Sequence, residues 1–267
     1  MQALYRTDHK DLFPYDFSNA LSAVGVSDGD VIFVHSDIAA FGKLASADGT
    51  TLETVLIEIL LQSIGETGTL VMPTFTYSFA KGEIFDCQHS KSTVGSLTEF
   101  FRTYPGVVRN VHPIFSVAAR GPATEDLCHV NNDSFGVGSV FDVLEKLDAK
   151  ILFFGASFAS CTFSHHLEQA ASVPYRFFKD FRGTIIDNGI SREENYRYFV
   201  RPLDGSVTLN LKRLEKHLRD KGLMNEVKVG HGSISAVRAR ELMKEGLVKL
   251  RENPYFLIEE QPAENVR

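Results

Sequence analysis

Three short apolar runs, each followed by polar residues, constrain the fold of this 267-residue chain more than any other feature. They are DVIFVHS (30–36), GTLVMPTFTY (68–77) and KILFFGAS (150–157). Continuous apolar runs of this length predict strands that are buried on both faces of a sheet. Residues 51–64, between the first two runs, have helical apolar spacing, so a strand–helix–strand crossover is predicted there. The sequence therefore predicts an α/β fold in which helices flank a central mixed sheet.

The remaining segments extend this pattern. Helices are predicted at 11–26, 96–106 and 139–149, and a strand at 115–121. After residue 176 the texture changes: 181–205 alternates like a hairpin, 208–223 and 233–246 have amphipathic helical spacing, and 247–260 resembles a closing strand or an extended tail. We predict one domain over 1–267, with a core at about 10–176 and a C-terminal α+β elaboration at about 177–267.

Composition excludes several classes of protein. The net charge of -6 argues against a nucleic-acid partner, which favours a basic face. Apolar runs fall short of the length of a membrane span, and charges occupy the N-terminal positions where a signal peptide would be apolar. We therefore expect a cytoplasmic protein without a membrane partner, and a homodimer is compatible with the sequence. The scattered cysteines, Cys87, Cys128 and Cys161, are expected to be incidental thiols.

The stretch CTFSHHLEQA (161–170) concentrates polar side chains in a segment that is otherwise helical. Thr162, His165 and Glu168 follow an i, i+3, i+6 spacing, which places them within one sector of a helix. Such a group can be a proton relay, half of a metal site or part of a solvated surface. These residues alone leave the three alternatives open.

Five segments, taken together and in order, resemble the aminoglycoside 3-N-acetyltransferase family, also called the antibiotic N-acetyltransferases. The resemblance covers about residues 30–176 and implies an α/β fold distinct from that of the GNAT acetyltransferases. It implies transfer of an acetyl group from acetyl-CoA, as co-substrate, to an amine on a sugar ring. The segments are VIFVHSDIAAFG, GTLVMPTFT, STVGSLTEFFRTYPGVVRNVHPIFSVAARG, SFGVGSVFDVL and ILFFGASFASCTFSHHLEQ.

The resemblance places the catalytic motif on Thr162, His165 and Glu168. His165 suits the general base because an imidazole with a pKa near 6.5 accepts a proton at neutral pH. Glu168 would orient the ring, and Thr162 would orient the substrate or donate to the oxyanion. His166 lies about 100° away around a helix and is expected to face elsewhere. We expect no metal, because a Glu-x-x-His metal scheme needs a second copy, which the sequence lacks.

Two other activities were weighed. A hydrolase could use a serine or Cys161 with His165, but the sequence has no Gly-x-Ser-x-Gly elbow. A non-catalytic CoA-binding relative would need a broken Thr–His–Glu motif, and the motif is intact.

The resemblance also implies a binding site for acetyl-CoA at the turn after the first apolar strand and on a later loop. Asp37 and Ala40 depart from the serines that the family has at that turn. Arg109 would contact a phosphate or support the loop, and Ser116 would bond the pantetheine arm. The predicted acetyl-CoA-binding residues are His35, Ser36, Arg109, His112 and Ser116.

The acceptor is expected to be an aminoglycoside or another amino sugar, including an amino-deoxy sugar carried on a nucleotide. The chain has no tryptophan and only a short link between 77 and 92, which argues against a bulky polycationic acceptor. Hydroxyl, carboxylate and aromatic side chains would line the acceptor site. The predicted residues are Thr74, Phe75, Glu83, Asp86 and Phe135.

Overall fold

The computed structural model describes residues 2–45 and 51–259. In chain order its helices are α1 (Pro14–Ala23), α2 (Leu52–Ile64), α3 (Ser96–Arg102), α4 (Thr124–Cys128), α5 (Val140–Lys146), α6 (Ser164–Ala170), α7 (Lys212–Asp220) and α8 (Ala239–Glu252). Its strands are β1 (Tyr5–Arg6), β2 (Asp11–Leu12), β3 (Val31–Ser36), β4 (Lys43–Leu44), β5 (Thr69–Pro73), β6 (Phe85–Asp86), β7 (Val108–Arg109), β8 (Val117–Arg120), β9 (Lys150–Phe154), β10 (Phe177–Asp187), β11 (Ile190–Val200), β12 (Met224–Val229) and β13 (Gly232–Arg238).

Seven strands form the central sheet in the order β12-β13-β9-β3-β5-β8-β7. The three apolar runs supply β9, β3 and β5, which lie side by side and parallel. The outer pairs are antiparallel, so the sheet is mixed, as the sequence predicted. The predicted α/β fold with a central mixed sheet is confirmed.

Both faces of the sheet are covered by helices. Side chains along β9 alternate between two separate hydrophobic clusters, because successive residues of a strand point to opposite faces. Ile151 and Phe153 pack in the cluster that includes α5, α6, α7 and α8, whereas Leu152 and Phe154 pack in the cluster that includes α1, α2 and α3. A search of the described residues found no helix with the length and apolar character needed to cross a bilayer.

A long hairpin lies outside the central sheet. Strands β10 and β11 pair antiparallel over eleven positions, from Phe177 opposite Val200 to Asp187 opposite Ile190, and β6 adds a short parallel pairing to β10. The hairpin predicted for this part of the chain is confirmed. A third sheet, of order β2-β1-β4, is formed near the N-terminus.

Two predictions about the C-terminal part were wrong. The helix predicted at 233–246 is divided between β13 and α8, and the segment predicted as a strand or tail at 247–260 continues α8 to Glu252. Ile234 and Ala236 pair with Phe154 and Leu152 of β9, whose free edge needs backbone partners. Residues after 176 therefore contribute two strands to the central sheet.

The carboxyl ends of β3 and β9 approach closely at Gly155. Ser36 forms a bridge with Gly155, and the Asp37 N–H donates to the Phe154 carbonyl at 2.9 Å. Gly155 has φ +77°, and an added Cβ would overlap the Asp37 carbonyl oxygen. Only glycine permits both the left-handed backbone and this approach without strain.

We predict that Gly155→Ala lowers the free energy of unfolding by about 3 kcal/mol or more, because left-handed strain and steric overlap both act. Gly189→Ala is the matched control, since Gly189 also has φ +77° but no atoms within 4 Å of an added Cβ. That control should lose only about 1 kcal/mol. Urea unfolding of both variants tests this, and equal losses would show that the close approach is unimportant.

Candidate active site

Helix α6 begins shortly after the end of β9 and carries two of the three residues of the predicted motif. His165 and Glu168 lie one turn apart on α6, as the sequence predicted. Thr162 instead lies in the turn that precedes the helix, where its hydroxyl donates to the Ser160 carbonyl at 3.4 Å. The expectation that Thr162 shares a helical sector with the other two was therefore wrong, because the chain turns after β9 before the helix starts.

The Glu168 carboxylate is the centre of a buried polar cluster. Its Oε2 lies 2.8 Å from His165 Nδ1 and 2.7 Å from an Arg176 terminal nitrogen. Its Oε1 accepts a hydrogen bond from the Tyr175 hydroxyl at 2.9 Å. The side chains of Glu168 and Arg176 are fully buried, whereas 18% of the His165 side chain remains exposed. A molecule in solvent can therefore reach His165 but not its two charged neighbours.

Hydrogen-bond geometry favours one tautomer of His165. The same Arg176 nitrogen lies 2.9 Å from His165 Nδ1. If Nδ1 lacked a proton, its lone pair would face the carboxylate lone pair of Glu168. If Nδ1 carries the proton, it donates to Glu168, and Arg176 donates to the same carboxylate. The second arrangement satisfies all three groups and leaves the lone pair on Nε2 available as a base.

The charges of this cluster act on its pKa values in opposite directions. Burial raises the pKa of Glu168, but the hydrogen bonds and positive charges of His165 and Arg176 outweigh burial, so the pKa lies below its ordinary value. Burial lowers the pKa of His165, and Arg176 adds to this effect while Glu168 opposes it; the net pKa is lowered. The carboxylate is therefore ionised and the imidazole neutral at pH 7.

Phe135, a predicted acceptor-site residue, packs edge-on against the His165 ring at a centroid distance of 5.2 Å. His166 faces away from His165, as expected, but it is buried. Its Nδ1 lies 2.6 Å from the Phe135 carbonyl and its Nε2 lies 2.9 Å from Glu145. His166 therefore anchors the residue that packs on His165.

Three other predicted site residues bond to one another. The Ser116 hydroxyl donates to the Thr74 carbonyl at 2.7 Å and accepts from Arg109 Nε at 3.1 Å. The Arg109 guanidinium also donates to the carbonyls of Thr74, Cys87 and Ser90 at 2.6–3.2 Å. Since Thr74 and Ser116 are fully buried, these contacts favour the structural alternative, in which Arg109 supports the loop.

The histidines predicted to bind acetyl-CoA lie at strand and loop ends. His35, at the end of β3, is buried and stacks on Phe153 at 5.5 Å. His112 is also buried, and its Nδ1 accepts from the Ile114 and Phe115 N–H groups at 3.2 and 2.9 Å. Within the described part of the chain, Nε2 of each ring has no hydrogen-bond partner.

The other predicted residues are dispersed. Ser36 is half-buried at the end of β3, and the neighbouring Asp37 is exposed. Phe75 is buried against Phe115 at 5.2 Å. Asp86 accepts the N–H groups of two following residues and so closes a turn, while Glu83 is exposed.

The contacts bear on the two alternative chemistries. Burial raises the pKa of Cys161 to about 12, which makes it a poor nucleophile. A metal ion at His165 and Glu168 would have to displace Arg176 from the carboxylate. Among the residues described, one group has ligand atoms within 4.8 Å of one another, comprising Asp142, Glu145 and His166. Lys146 already pairs with its Asp142 at 2.7 Å.

Sequence reasoning missed Tyr175 and Arg176. Both follow α6 closely in the chain, but their contact with Glu168 requires the chain to reverse, and Ser172 has φ +51° in that turn. The dipeptide Tyr-Arg before a predicted strand gave no indication that both side chains point back toward the helix.

The whole chain was compared with known proteins. Residues 33–250 match the sequence model of a family described as aminoglycoside 3-N-acetyltransferase. A curated relative, aminoglycoside N(3)-acetyltransferase IV of Salmonella sp, is 29% identical over 240 residues, which cover 88% of this chain and 86% of the relative.

Solved structures give the same similarity. The aminoglycoside acetyltransferase AAC(3)-IVa apoenzyme has a TM-score of 0.77 and 27% identity, covering 99% of this chain and 94% of its own. A mutant of that enzyme in complex with apramycin has a TM-score of 0.76 and 26% identity, with 96% of each chain covered. AAC-IIIb with CoASH has a TM-score of 0.77, covering 93% of this chain and 98% of its own; at 22% identity it supports the fold alone.

The buried His35 generates a prediction about acid stability. Burial lowers its pKa to about 3 in the folded state, whereas in the unfolded chain the ring gains a proton below about pH 6.5. The unfolded state therefore binds more protons between these values, and stability falls as the pH falls through 6.5. His35→Phe should reduce the loss of unfolding free energy between pH 7.5 and 5.5 by about 1.4 kcal/mol.

Urea unfolding at the two pH values measures this difference. Phe153→Leu is the control, because it removes the stacking partner but keeps the titrating ring, and it should lower stability equally at both pH values. If His35→Phe loses as much stability on acidification as the wild type, His35 does not stay neutral in the folded state.

Proposed function

Because this chain belongs to the aminoglycoside 3-N-acetyltransferase family and is an acyltransferase, we propose that it acetylates an amine of an aminoglycoside by direct transfer from acetyl-CoA. The His165–Glu168 contact of 2.8 Å is the observation that carries the mechanistic part of this proposal. It supplies a neutral base with a free Nε2, held by a buried carboxylate.

His165 Nε2 takes the proton that the acceptor amine must lose as its nitrogen bonds to the acetyl carbon. Acetyl-CoA supplies the acyl group as a thioester, whose carbon–sulfur bond breaks. The imidazolium returns its proton to the leaving sulfur. Glu168 stabilises the imidazolium through Nδ1–H and keeps the ring oriented throughout. Thr162, in the turn just before α6, is proposed to orient the acceptor or donate to the developing oxyanion.

The ends of the parallel strands are the proposed site for acetyl-CoA, since ligands of open α/β sheets gather there. Buried polar atoms without partners among the described residues support this placement: Nε2 of His35, Nε2 of His112 and the hydroxyl of Ser164 at the start of α6. We propose His35 and His112, together with Ser36, as the residues that hold the co-substrate. The backbone N–H of Asp37 is not available, because it donates to Phe154.

The names of the relatives support an aminoglycoside as the acceptor. The relative from Salmonella is an aminoglycoside N(3)-acetyltransferase, and the AAC(3)-IVa mutants bind a gentamicin and apramycin. Phe135 offers a flat apolar face next to the base. A thiol-release assay with gentamicin, apramycin and a nucleotide-linked amino sugar tests the substrate class, and turnover of the nucleotide sugar alone would contradict the proposal.

We predict that acetyl-CoA raises the Tm, because it binds the folded state only. At 100 times Kd the stabilisation is about 2.7 kcal/mol, or ~5 °C for a chain of this size. Differential scanning fluorimetry measures the shift. ATP at equal concentration, which lacks the pantetheine arm, is the control and should shift the Tm less. No shift, together with no heat of binding by calorimetry, would contradict acetyl-CoA binding.

Replacement of the base should affect chemistry rather than binding. His165→Ala should lower kcat by ~10²- to 10⁴-fold, the usual contribution of general-base catalysis, with acetyl-CoA affinity nearly unchanged. Glu168→Gln should lower kcat less, and the double variant should be little worse than His165→Ala, because the two groups act as a unit. His9→Ala, at an exposed position between β1 and β2, is the control. A near-normal kcat for a folded His165→Ala would show that another group is the base.

A further inference from the structure

Arg176 is a buried cation that the proposed chemistry does not itself require. Its side chain is fully buried, and one terminal nitrogen donates to the Phe199 carbonyl of β11 at 3.0 Å. The other terminal nitrogen lies against both Glu168 and His165. Removing a guanidinium from water is expensive, and a buried ion pair often contributes little net stability. A role other than stability would explain its position.

Charge balance identifies that role. Without Arg176, the ionised Glu168 and a neutral His165 would leave one buried negative charge, which protonation of the ring would cancel. The imidazole would then hold a proton and could not act as a base. With Arg176 present, the cluster is neutral while the ring is neutral, and protonation would create a net positive charge. The arginine thus reverses which form of His165 the buried site favours.

We propose that Arg176 is a positioning residue that keeps Glu168 ionised and directs its hydrogen bond to His165 Nδ1–H, so that His165 is held neutral with a free Nε2. This inference rests on the proposed function of His165. Because guanidinium is always charged and only donates, it serves this purpose at any pH at which the enzyme folds.

The groups that face His165 come from three segments. Glu168 of α6 raises the pKa of the ring, whereas Arg176 and Arg201, which precede β10 and follow β11, lower it, with burial as the largest effect. Tyr175 bonds the far oxygen of the carboxylate. Burial raises the pKa of Tyr198, although the charge of Arg176 opposes this, so the phenol stays neutral. Arg176 is the only one of these cations that also touches Glu168 in the described contacts.

The test is a histidine NMR titration of the full chain without ligand, combined with pH–rate profiles of kcat/KM. The His165 resonance is assigned by its loss in His165→Gln. Arg176→Met should move the titration midpoint of His165 and the acidic limb of the profile to higher pH, and should lower kcat at pH 7 by ~10²-fold through misplacement of the ring. Arg176→Lys keeps the charge but not the planar fork, so kcat should fall without movement of the midpoint.

Arg182→Met is the matched control, because it removes an exposed arginine from β10, where 77% of the side chain is accessible; both readouts should match wild type. Should Arg176→Met fail to fold, Arg176→Gln replaces it with the same expected shift. A folded neutral variant with a wild-type midpoint would overturn the inference. Absence of acetyl transfer in the wild type would instead refute the proposed function, while the NMR midpoint would still report on Arg176.

Discussion

The buried carboxylate of Glu168 is the constraint on which the candidate site depends. An ionised carboxylate without partners is expensive to bury, so all the elements that supply its partners must be in place together. His165 comes from the same helix, whereas Tyr175 and Arg176 come from the segment that leads into β10. The carboxylate therefore ties the start of the long hairpin to α6, and the orientation of the His165 ring follows from this connection.

A second set of contacts closes around the same ring. The Ser134 N–H donates to the Arg197 carbonyl of β11 at 2.9 Å, so the loop before α5 is attached to the hairpin. The next residue, Phe135, packs on His165, and its carbonyl is held by His166. Hairpin, loop and α6 thus form a closed circuit of contacts. Such a circuit holds the imidazole in place from two sides, which is the preorganisation that a general base requires.

Local patterns in the sequence predicted the features that depend on neighbouring residues. The strands β3, β5 and β9 follow from apolar runs, and the His165–Glu168 pair follows from spacing within one helix. Features that need distant partners were not predictable: β13 is a strand because the edge of β9 lies beside it. Thr74, Arg109 and Ser116 were assigned to ligands because a sequence cannot show which polar side chains bond to one another. Arg176 was missed because it reaches Glu168 only after the turn at Ser172.

The positive charges near His165 also bear on the acceptor. An ammonium group cannot attack a thioester, so the acceptor must lose its proton before or during transfer. Arg176 and Arg201 lower the proton affinity of the ring, and the same charges disfavour an ammonium beside it, which shifts the acceptor toward its neutral amine. A site that keeps its base neutral therefore also favours the reactive form of its substrate. The two effects share one cause, since both proton equilibria respond to the same buried charges.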